Sequence, residues 1–130
     1  MSAIVVTVLE NLVVLDTLLG IVFLLPLNIP LGRGWAYYEM SSYDDAITDF
    51  GEAIKLDSRL AGAFYSRGVA YYDKRNYDRA SADFNEAIKL DPNYAGALYA
   101  RGRAKREKGD RVGASADIAA ATAINPNVGK

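Results

Sequence analysis

Residues 61–94 read AGAFYSRGVAYYDKRNYDRASADFNEAIKLDPNY, and residues 95–128 read AGALYARGRAKREKGDRVGASADIAAATAINPNV. These two stretches share 15 identical positions out of 34, and residues 27–60 share 16 with residues 61–94. Self-similarity at a fixed period of a few tens of residues indicates a protein built from stacked supersecondary units. The sequence therefore predicts three copies of one 34-residue unit after an unrelated N-terminal segment.

Within residues 61–94 the apolar residues recur at the spacing of two amphipathic helices. The first is marked by Phe64, Gly68, Tyr71 and Tyr72, and the second by Tyr77, Ala80, Phe84, Ala87 and Ile88. The polar residues 73–76 separate the two helices, and Pro92 ends the second because proline cannot continue a helix. A hairpin this short cannot bury its apolar face alone, so neighbouring copies are expected to stack. The predicted fold is all-α, a solenoid of three helix–turn–helix repeats preceded by a hydrophobic N-terminal helix.

The pattern of large and small residues resembles the tetratricopeptide repeat (TPR) family, in particular bacterial-type members with Arg-Gly in each repeat. The second copy carries the motif residues Phe64, Gly68, Tyr71, Ala80, Phe84 and Pro92. The third carries Leu98, Gly102, Ala114, Ile118 and Pro126, with Lys105 in place of the aromatic residue. The first carries Gly34, Tyr37, Ala46 and Phe50, but has Pro30 at the bulky position and Ser58 at the closing proline.

The resemblance sets the expected boundaries of each unit. Residues 1–29 form the N-terminal segment, and the repeats occupy residues 30–60, 61–94 and 95–128. The opening helix of the first hairpin is expected to start near Pro30, with proline at its first position. Small residues are expected where the helices of each hairpin cross, namely Gly34, Gly68, Gly102, Ala46, Ala80 and Ala114. The aromatic residues Tyr37, Tyr71, Phe50 and Phe84 are expected to fill the core.

The composition excludes most catalytic chemistry. The chain contains no Cys and no His, so thiol nucleophiles, disulfides and the commonest general base and metal ligand are absent. No nucleophile motif, glycine-rich phosphate loop or metal-ligand spacing occurs. The net charge of −1 hides a gradient from −3 in residues 33–60 to +4 in residues 95–130, unlike a chain that binds polyanions along its length. The sequence predicts no enzyme activity, cofactor, metal or nucleic-acid partner.

An arginine on the first helix of each unit is followed 16 residues later by an aspartate on the second. The pairs are Arg33/Asp49, Arg67/Asp83 and Arg101/Asp117. The favoured interpretation is a structural ion pair that ties helices together. The alternative is that the guanidinium groups meet a carboxylate of a partner.

The resemblance implies that the first helices line a concave groove that binds a partner polypeptide. The inward positions would be Leu31, Trp35, Tyr38, Glu39, Tyr65, Val69, Tyr72, Asp73, Tyr99, Arg103, Arg106 and Glu107. The best candidates for partner contacts are Trp35, Tyr38, Tyr65, Tyr72, Tyr99, Arg103 and Arg106, because Trp, Tyr and Arg dominate binding energy at interfaces. An acidic, partly hydrophobic peptide or helix fits this surface. The alternative is that some tyrosines only pack between hairpins.

A carboxylate clamp of the co-chaperone kind is not expected, since its Lys and Asn positions correspond to Leu31, Trp35 and Ser66. The last hairpin carries a basic group made of Arg101, Arg103, Lys105, Arg106, Lys108 and Arg111. This group either keeps the solenoid end soluble or meets the acidic first copy of another molecule in head-to-tail stacking. The favoured function is therefore a scaffold or adaptor, and the rival is a self-assembling structural protein.

Residues 3–25 form an apolar run that is long enough for a transmembrane helix. Glu10 and Asp16 interrupt it, and their insertion cost nearly cancels the gain from the apolar residues. Three interpretations stay open at this point: a membrane span, a cap on the first hairpin, or a segment that is not native to the repeats. Membrane-associated and cytoplasmic locations both remain compatible with the sequence.

Overall fold

The computed structural model describes residues 25–130, and these residues form six α-helices without a β-strand among them. The helices are α1 Leu25–Glu39, α2 Tyr43–Leu56, α3 Ala61–Asp73, α4 Tyr77–Leu90, α5 Ala95–Glu107 and α6 Arg111–Ile124. Consecutive helices pack as the hairpins α1–α2, α3–α4 and α5–α6. The predicted all-α helical repeat is confirmed.

The described chain divides into two compact units, and the boundary lies between Ser58 and Arg59. The first unit contains the α1–α2 hairpin. The second unit contains the other two hairpins, and α5 packs against both α4 and α6. The second unit therefore shows how one hairpin stacks on the next in this chain.

Helix α1 extends further towards the N-terminus than the sequence predicted. It spans Leu25–Glu39 and has Pro30 inside it, so residues 25–29 belong to the first hairpin rather than to the N-terminal segment. Pro26 falls in the first turn, where a backbone N–H has no intrahelical acceptor. Pro30 forfeits one backbone hydrogen bond and is itself buried. The expected start near Pro30 was wrong, because one missing hydrogen bond does not end a helix whose face is packed.

The turn inside each hairpin has the same backbone geometry. Ser41, Arg75 and Gly109 lie 34 residues apart and have φ values of 60°, 61° and 90°. In the second hairpin the Arg75 N–H donates to the Tyr72 carbonyl at 2.8 Å, and the Asn76 N–H donates to the Tyr71 carbonyl at 2.9 Å. A left-handed residue followed by this bond pattern closes a helix and satisfies its last carbonyls. Only the third hairpin has glycine at this position.

Glycines stand where the two helices of each hairpin cross, as predicted. A Cβ atom on Gly34 would lie 2.7 Å from Cε1 of Phe50, and one on Gly68 would lie 2.6 Å from Cε1 of Phe84. In the third hairpin a Cβ on Gly102 would lie 2.9 Å from Cγ1 of Ile118. Phe50 and Phe84 are the largest fully buried side chains among the residues that the structure describes. The expected core is thus confirmed for both phenylalanines, whereas Tyr37 and Tyr71 are only half-buried.

The hypotheses about residues 1–24, including the membrane span and the cap, lie outside the described residues. Among the helices that begin at or after Leu25, none combines the length and the hydropathy that crossing a bilayer requires.

Candidate functional site

The three repeated Arg–Asp pairs are structural ion pairs inside their hairpins. Each arginine donates from Nε and Nη2 to the two carboxylate oxygens of its aspartate, over 2.7–2.8 Å. The aspartates are buried, with exposed fractions of 4% for Asp49, 5% for Asp83 and 6% for Asp117. The favoured interpretation of these pairs is confirmed. Their guanidinium groups are committed to internal carboxylates rather than to a partner.

The third pair has two extra contacts. Lys105 Nζ lies 2.9 Å from Asp117 Oδ2, and Arg101 Nη1 donates to Oδ1 of Asn85 at 2.9 Å. Burial alone would raise the pKa of Asp117, but the hydrogen bonds from Arg101 and Lys105 outweigh it and hold that pKa below its ordinary value. The hydrogen bond to Asp117 in turn raises the pKa of Arg101. The carboxylate of Asp117 therefore stabilises the fold in its charged form.

We expect Asp117→Asn to lower the stability at neutral pH by about 2–3 kcal/mol, since a charged hydrogen-bond acceptor is lost. Because the folded-state pKa is lowered, the stabilisation is complete above the unfolded-state pKa and is lost as the pH falls through the folded-state pKa. The difference between parent and variant should therefore shrink below about pH 4. Urea unfolding at pH 7 and pH 3 measures this difference. The exposed Glu107→Gln on α5 is the control, and a pH-independent difference for Asp117→Asn would contradict the assignment.

An arginine lies over a tyrosine between the two hairpins of the second unit. The guanidinium carbon of Arg103 on α5 is 4.8 Å from the ring centroid of Tyr72 on α3. Arg103 is exposed and also acts electrostatically on the hydroxyl of Tyr65, which lies about two helical turns before Tyr72 on the same helix face. Burial raises the pKa of Tyr65, and the positive charge of Arg103 opposes that rise. We call Tyr65, Val69, Tyr72 and Arg103 the Arg103 cluster.

The three α3 side chains of the Arg103 cluster also pack against the protein core. Tyr65, Val69 and Tyr72 lie half-buried beside the cluster of Ala80, Phe84 and Ala104. The centroids of the Tyr65 and Phe84 rings are 6.0 Å apart. Packing between hairpins is therefore part of the role of Tyr65 and Tyr72. Both tyrosines are therefore only partly accessible to solvent.

Two tyrosines that the sequence analysis did not propose as partner contacts complete the surroundings. The Tyr94 ring centroid is 5.0 Å from that of Tyr65, and the Tyr77 centroid is 5.3 Å from that of Tyr72. Burial, followed by the proximity of Tyr65 and Asp91, raises the pKa of Tyr94 to about 12. The repeat register could have indicated Tyr94, because it is the last residue of its repeat and is equivalent to the apolar residues Leu60 and Val128. A surface cavity of about 290 Å³ beside Tyr72 is lined by Tyr72, Asp73, Arg75, Tyr77 and Glu107.

The other predicted contact residues lie elsewhere. Trp35 and Tyr38 belong to the first unit, where the Trp35 ring makes edge contacts with Tyr38 at 5.3 Å and with Phe50 at 5.4 Å. Tyr99 lies against Gly129, which has a φ of 79° and so little room that a Cβ there would overlap the tyrosine ring. Arg106 lines a different cavity, at the open side of the last hairpin.

The basic group of the last hairpin divides into paired and unpaired side chains. Arg101 and Lys105 bind Asp117, and Lys108 Nζ is 2.6 Å from Oδ1 of Asp78 on α4. Arg103, Arg106 and Arg111 form no ion pair with any residue between 25 and 130. Over the same range, no three acidic side chains gather closely enough to hold a metal ion. Half of the basic group is therefore neutralised inside the chain, and Arg103, Arg106 and Arg111 are not.

Residues 31–95 and 65–128 match the family model described as Tetratricopeptide repeat. The structure titled second TPR of Spaghetti (RPAP3) bound to HSP90 peptide SRMEEVD is 26% identical, with a TM-score of 0.75 over 77% of this chain and 93% of that chain. The second TPR domain of human RPAP3 in complex with HSP70 peptide SGPTIEEVD is 27% identical, with a TM-score of 0.73 over 77% and 83%. The crystal structure of MamA is 25% identical, with a TM-score of 0.78 over 93% and 67%. No curated protein sequence matches the chain.

Proposed function

The chain belongs to the tetratricopeptide repeat family, and we propose that its second unit captures a peptide or helical segment of a partner protein at the Arg103 cluster. Proteins of this family are generally interaction scaffolds without catalytic activity, and two of the similar structures hold a chaperone peptide. The observation that carries the proposal is the exposed Arg103 guanidinium, which lies 4.8 Å from the centroid of the Tyr72 ring. Its charge is not used by an ion pair between residues 25 and 130.

The chemistry of the Arg103 cluster defines the partner. The contact with the Tyr72 ring restricts the Arg103 side chain, so binding a carboxylate costs less arginine side-chain entropy there than at an arginine without such a contact. The partly exposed side chains of Tyr65, Val69 and Tyr72 offer apolar contact on the helix face that carries this charge. A segment with one acidic side chain next to one or two apolar side chains satisfies both features.

A chaperone-type terminal carboxylate is a poorer fit. The residues at the clamp positions are Leu31, Trp35 and Ser66, and none of them carries a positive charge. Ser66 is 3% exposed, and its hydroxyl donates to the Gly62 carbonyl at 2.8 Å. Such a hydroxyl is already satisfied and buried, so it contributes nothing to a bound carboxylate. The proposed partner is therefore recognised through an internal acidic side chain.

We expect Arg103→Glu to weaken peptide binding by at least about tenfold, because one charge reversal removes an attraction and adds a repulsion of more than about 1.4 kcal/mol in total. The probe is a set of peptides selected on the parent chain from a random display library. Their dissociation constants for parent and variant chains are then measured by fluorescence polarisation. Arg103 is a better target than the tyrosines, because Ser at Tyr65 or Tyr72 would also remove core packing.

The matched control is Lys89→Glu, which makes the same charge change at an exposed position on α4. It should leave the affinity unchanged. A peptide in which the acidic residue is replaced by its amide should bind the parent more weakly than the original peptide does. For the Arg103→Glu chain, the same replacement should cause little further loss of affinity. Selected peptides that bind Arg103→Glu as tightly as the parent would contradict the proposed site.

The rival function is self-assembly of acidic first hairpins on basic last hairpins. The net charges of −3 and +4 favour it, although three of the six bases in the last hairpin's basic group already pair inside the chain. A purely charge-driven association should disappear at high salt, since the Debye length falls to about 3 Å at 1 M. Sedimentation across a salt series tests this version.

A further inference from the structure

The joint between α4 and α5 shows what a hairpin face looks like when the next hairpin covers it. Ala104 of α5 packs on Ala80 and Phe84 of α4. Two polar contacts flank this apolar centre. Lys108 reaches Asp78 at 2.6 Å, and Arg101 donates to Asn85 at 2.9 Å.

Helix α6 presents the same face 34 residues later, and no further helix among residues 25–130 packs on it. Ala114, Ser115 and Ile118 stand where α4 has Ala80, Ser81 and Phe84. Together with Arg106 and Arg111 they line a cavity of about 430 Å³. We call these five residues the end face.

The two α4 residues that form polar contacts with α5, Asp78 and Asn85, have apolar equivalents on α6. Val112 takes the position of Asp78, and Ala119 takes the position of Asn85. Val112 is 84% exposed, the largest exposed fraction among the large apolar residues described. A repeat face that meets only water is expected to be polar here. An apolar residue at this edge instead favours an apolar counterpart.

Helix α1, which is equivalent to α5 in the repeat, carries apolar residues at two positions where α5 is basic. Met40 lies at the position of Lys108, and Trp35 lies at the position of Arg103. Trp35 is 37% exposed, and Met40 is half-buried. Ala36, at the position of Ala104, is already only 8% exposed, so stacking would add contact mainly through Trp35 and Met40.

We propose that α1 of a second copy docks on the end face in the register of the α4–α5 joint, with residues 127–130 of the receiving chain moving aside because residues 25–28 of the second copy take the same positions in that register. This places Met40 of the second copy against Val112, an apolar pair where the α4–α5 joint has an ion pair. It also places Trp35 of the second copy beside Arg106. In the α4–α5 joint, Arg103 of α5 lies over Tyr72 of the preceding hairpin. In the proposed contact the arginine belongs to the receiving hairpin and the aromatic residue to the docking helix, so a cation–π contact is again possible. Such a contact is heterologous, so it can repeat from copy to copy in an open chain.

The absence of cysteine from the sequence makes a direct test possible. Full-length Met40→Cys and Val112→Cys chains are mixed under mild oxidation, and the mixed disulfide is quantified by non-reducing electrophoresis and mass spectrometry. A disulfide requires Cβ atoms about 3.5–4.5 Å apart, so it reports on this one pairing. We expect the mixed disulfide in at least roughly tenfold excess over the control pair Met40→Cys with Lys89→Cys, owing to the high local concentration of docked thiols.

Two further measurements make the outcome specific. Adding Arg106→Glu to the Val112→Cys chain should lower the cross-linked yield, because the cation beside Trp35 of the second copy is lost. Adding Arg103→Glu should leave the yield unchanged, so failure of this interface and failure of the peptide site are separate results. A yield no higher than that of the control pair, or a predominance of Met40→Cys homodimers, would overturn the proposal.

Discussion

Gly68→Leu is expected to lower the free energy of unfolding by about 3 kcal/mol, which is the upper range for overpacking a filled core. The first added atom alone would lie 2.6 Å from Cε1 and 2.9 Å from Cδ1 of Phe84, and 3.2 Å from Cβ of Asp83. Phe84 is 1% exposed, so its ring is enclosed by other protein atoms. The helices α3 and α4 must therefore separate, and the Arg67–Asp83 pair that spans them is stretched at the same time.

Gly62 offers a control on the same helix, because a Cβ atom there meets nothing within 4 Å. Gly62→Ala should raise the stability by up to about 1 kcal/mol, since alanine has the higher helix propensity. Thermal and urea unfolding followed by circular dichroism measure both variants. If Gly68→Leu melted within about a degree of the parent, the assigned helix crossing would be wrong.

Asp83→Ala should cost about 3 kcal/mol or more, the value typical of breaking a buried ion pair by removing one partner. Asp83 is 5% exposed and accepts two hydrogen bonds from Arg67 at 2.7 and 2.8 Å. The hydrogen bond to Asp83 raises the pKa of Arg67 in the parent chain. Without that carboxylate the guanidinium still stays charged, because an arginine side chain is not deprotonated in proteins. The variant thus leaves a largely buried cation without its acceptor.

Glu86→Ala provides the comparison on the same helix. Glu86 forms an exposed ion pair with Lys89 at 3.0 Å, and such pairs contribute about 0–1 kcal/mol. The double variant Arg67→Met/Asp83→Leu should recover much of the loss, because apolar side chains of similar volume replace the pair without leaving a buried charge. Equal costs for Asp83→Ala and Glu86→Ala would show that the pair does not hold α3 to α4.

The repeated positions were the most predictable part of this protein. Gly34, Gly68 and Gly102 were assigned to helix crossings from their spacing, and the structure puts each against a large side chain of the second helix. The Arg–Asp pairs were likewise assigned from a separation of 16 residues. Both features depend on contacts inside one hairpin, and helical periodicity alone sets which residues face each other there.

The first hairpin was predicted less well. Proline was taken as a helix start, whereas Pro30 lies inside α1. Sequence rules describe the local cost of a missing hydrogen bond, about 3 kcal/mol for a proline in a helix interior. They do not describe the packing of the surrounding face, which offsets that cost.

The candidate site shows most clearly which features follow from the sequence and which follow only from the packing of the hairpins. The amino-acid sequence establishes three helical hairpins, their crossing glycines and their internal ion pairs, because these follow from local periodicity repeated at a period of 34 residues. It does not establish which cations of the last hairpin are available. Lys108 is neutralised by Asp78 of the preceding hairpin, whereas Arg103 rests on the ring of Tyr72. Long side chains find their partners across the joint between hairpins, and the positions of those partners exist only once the helices have stacked.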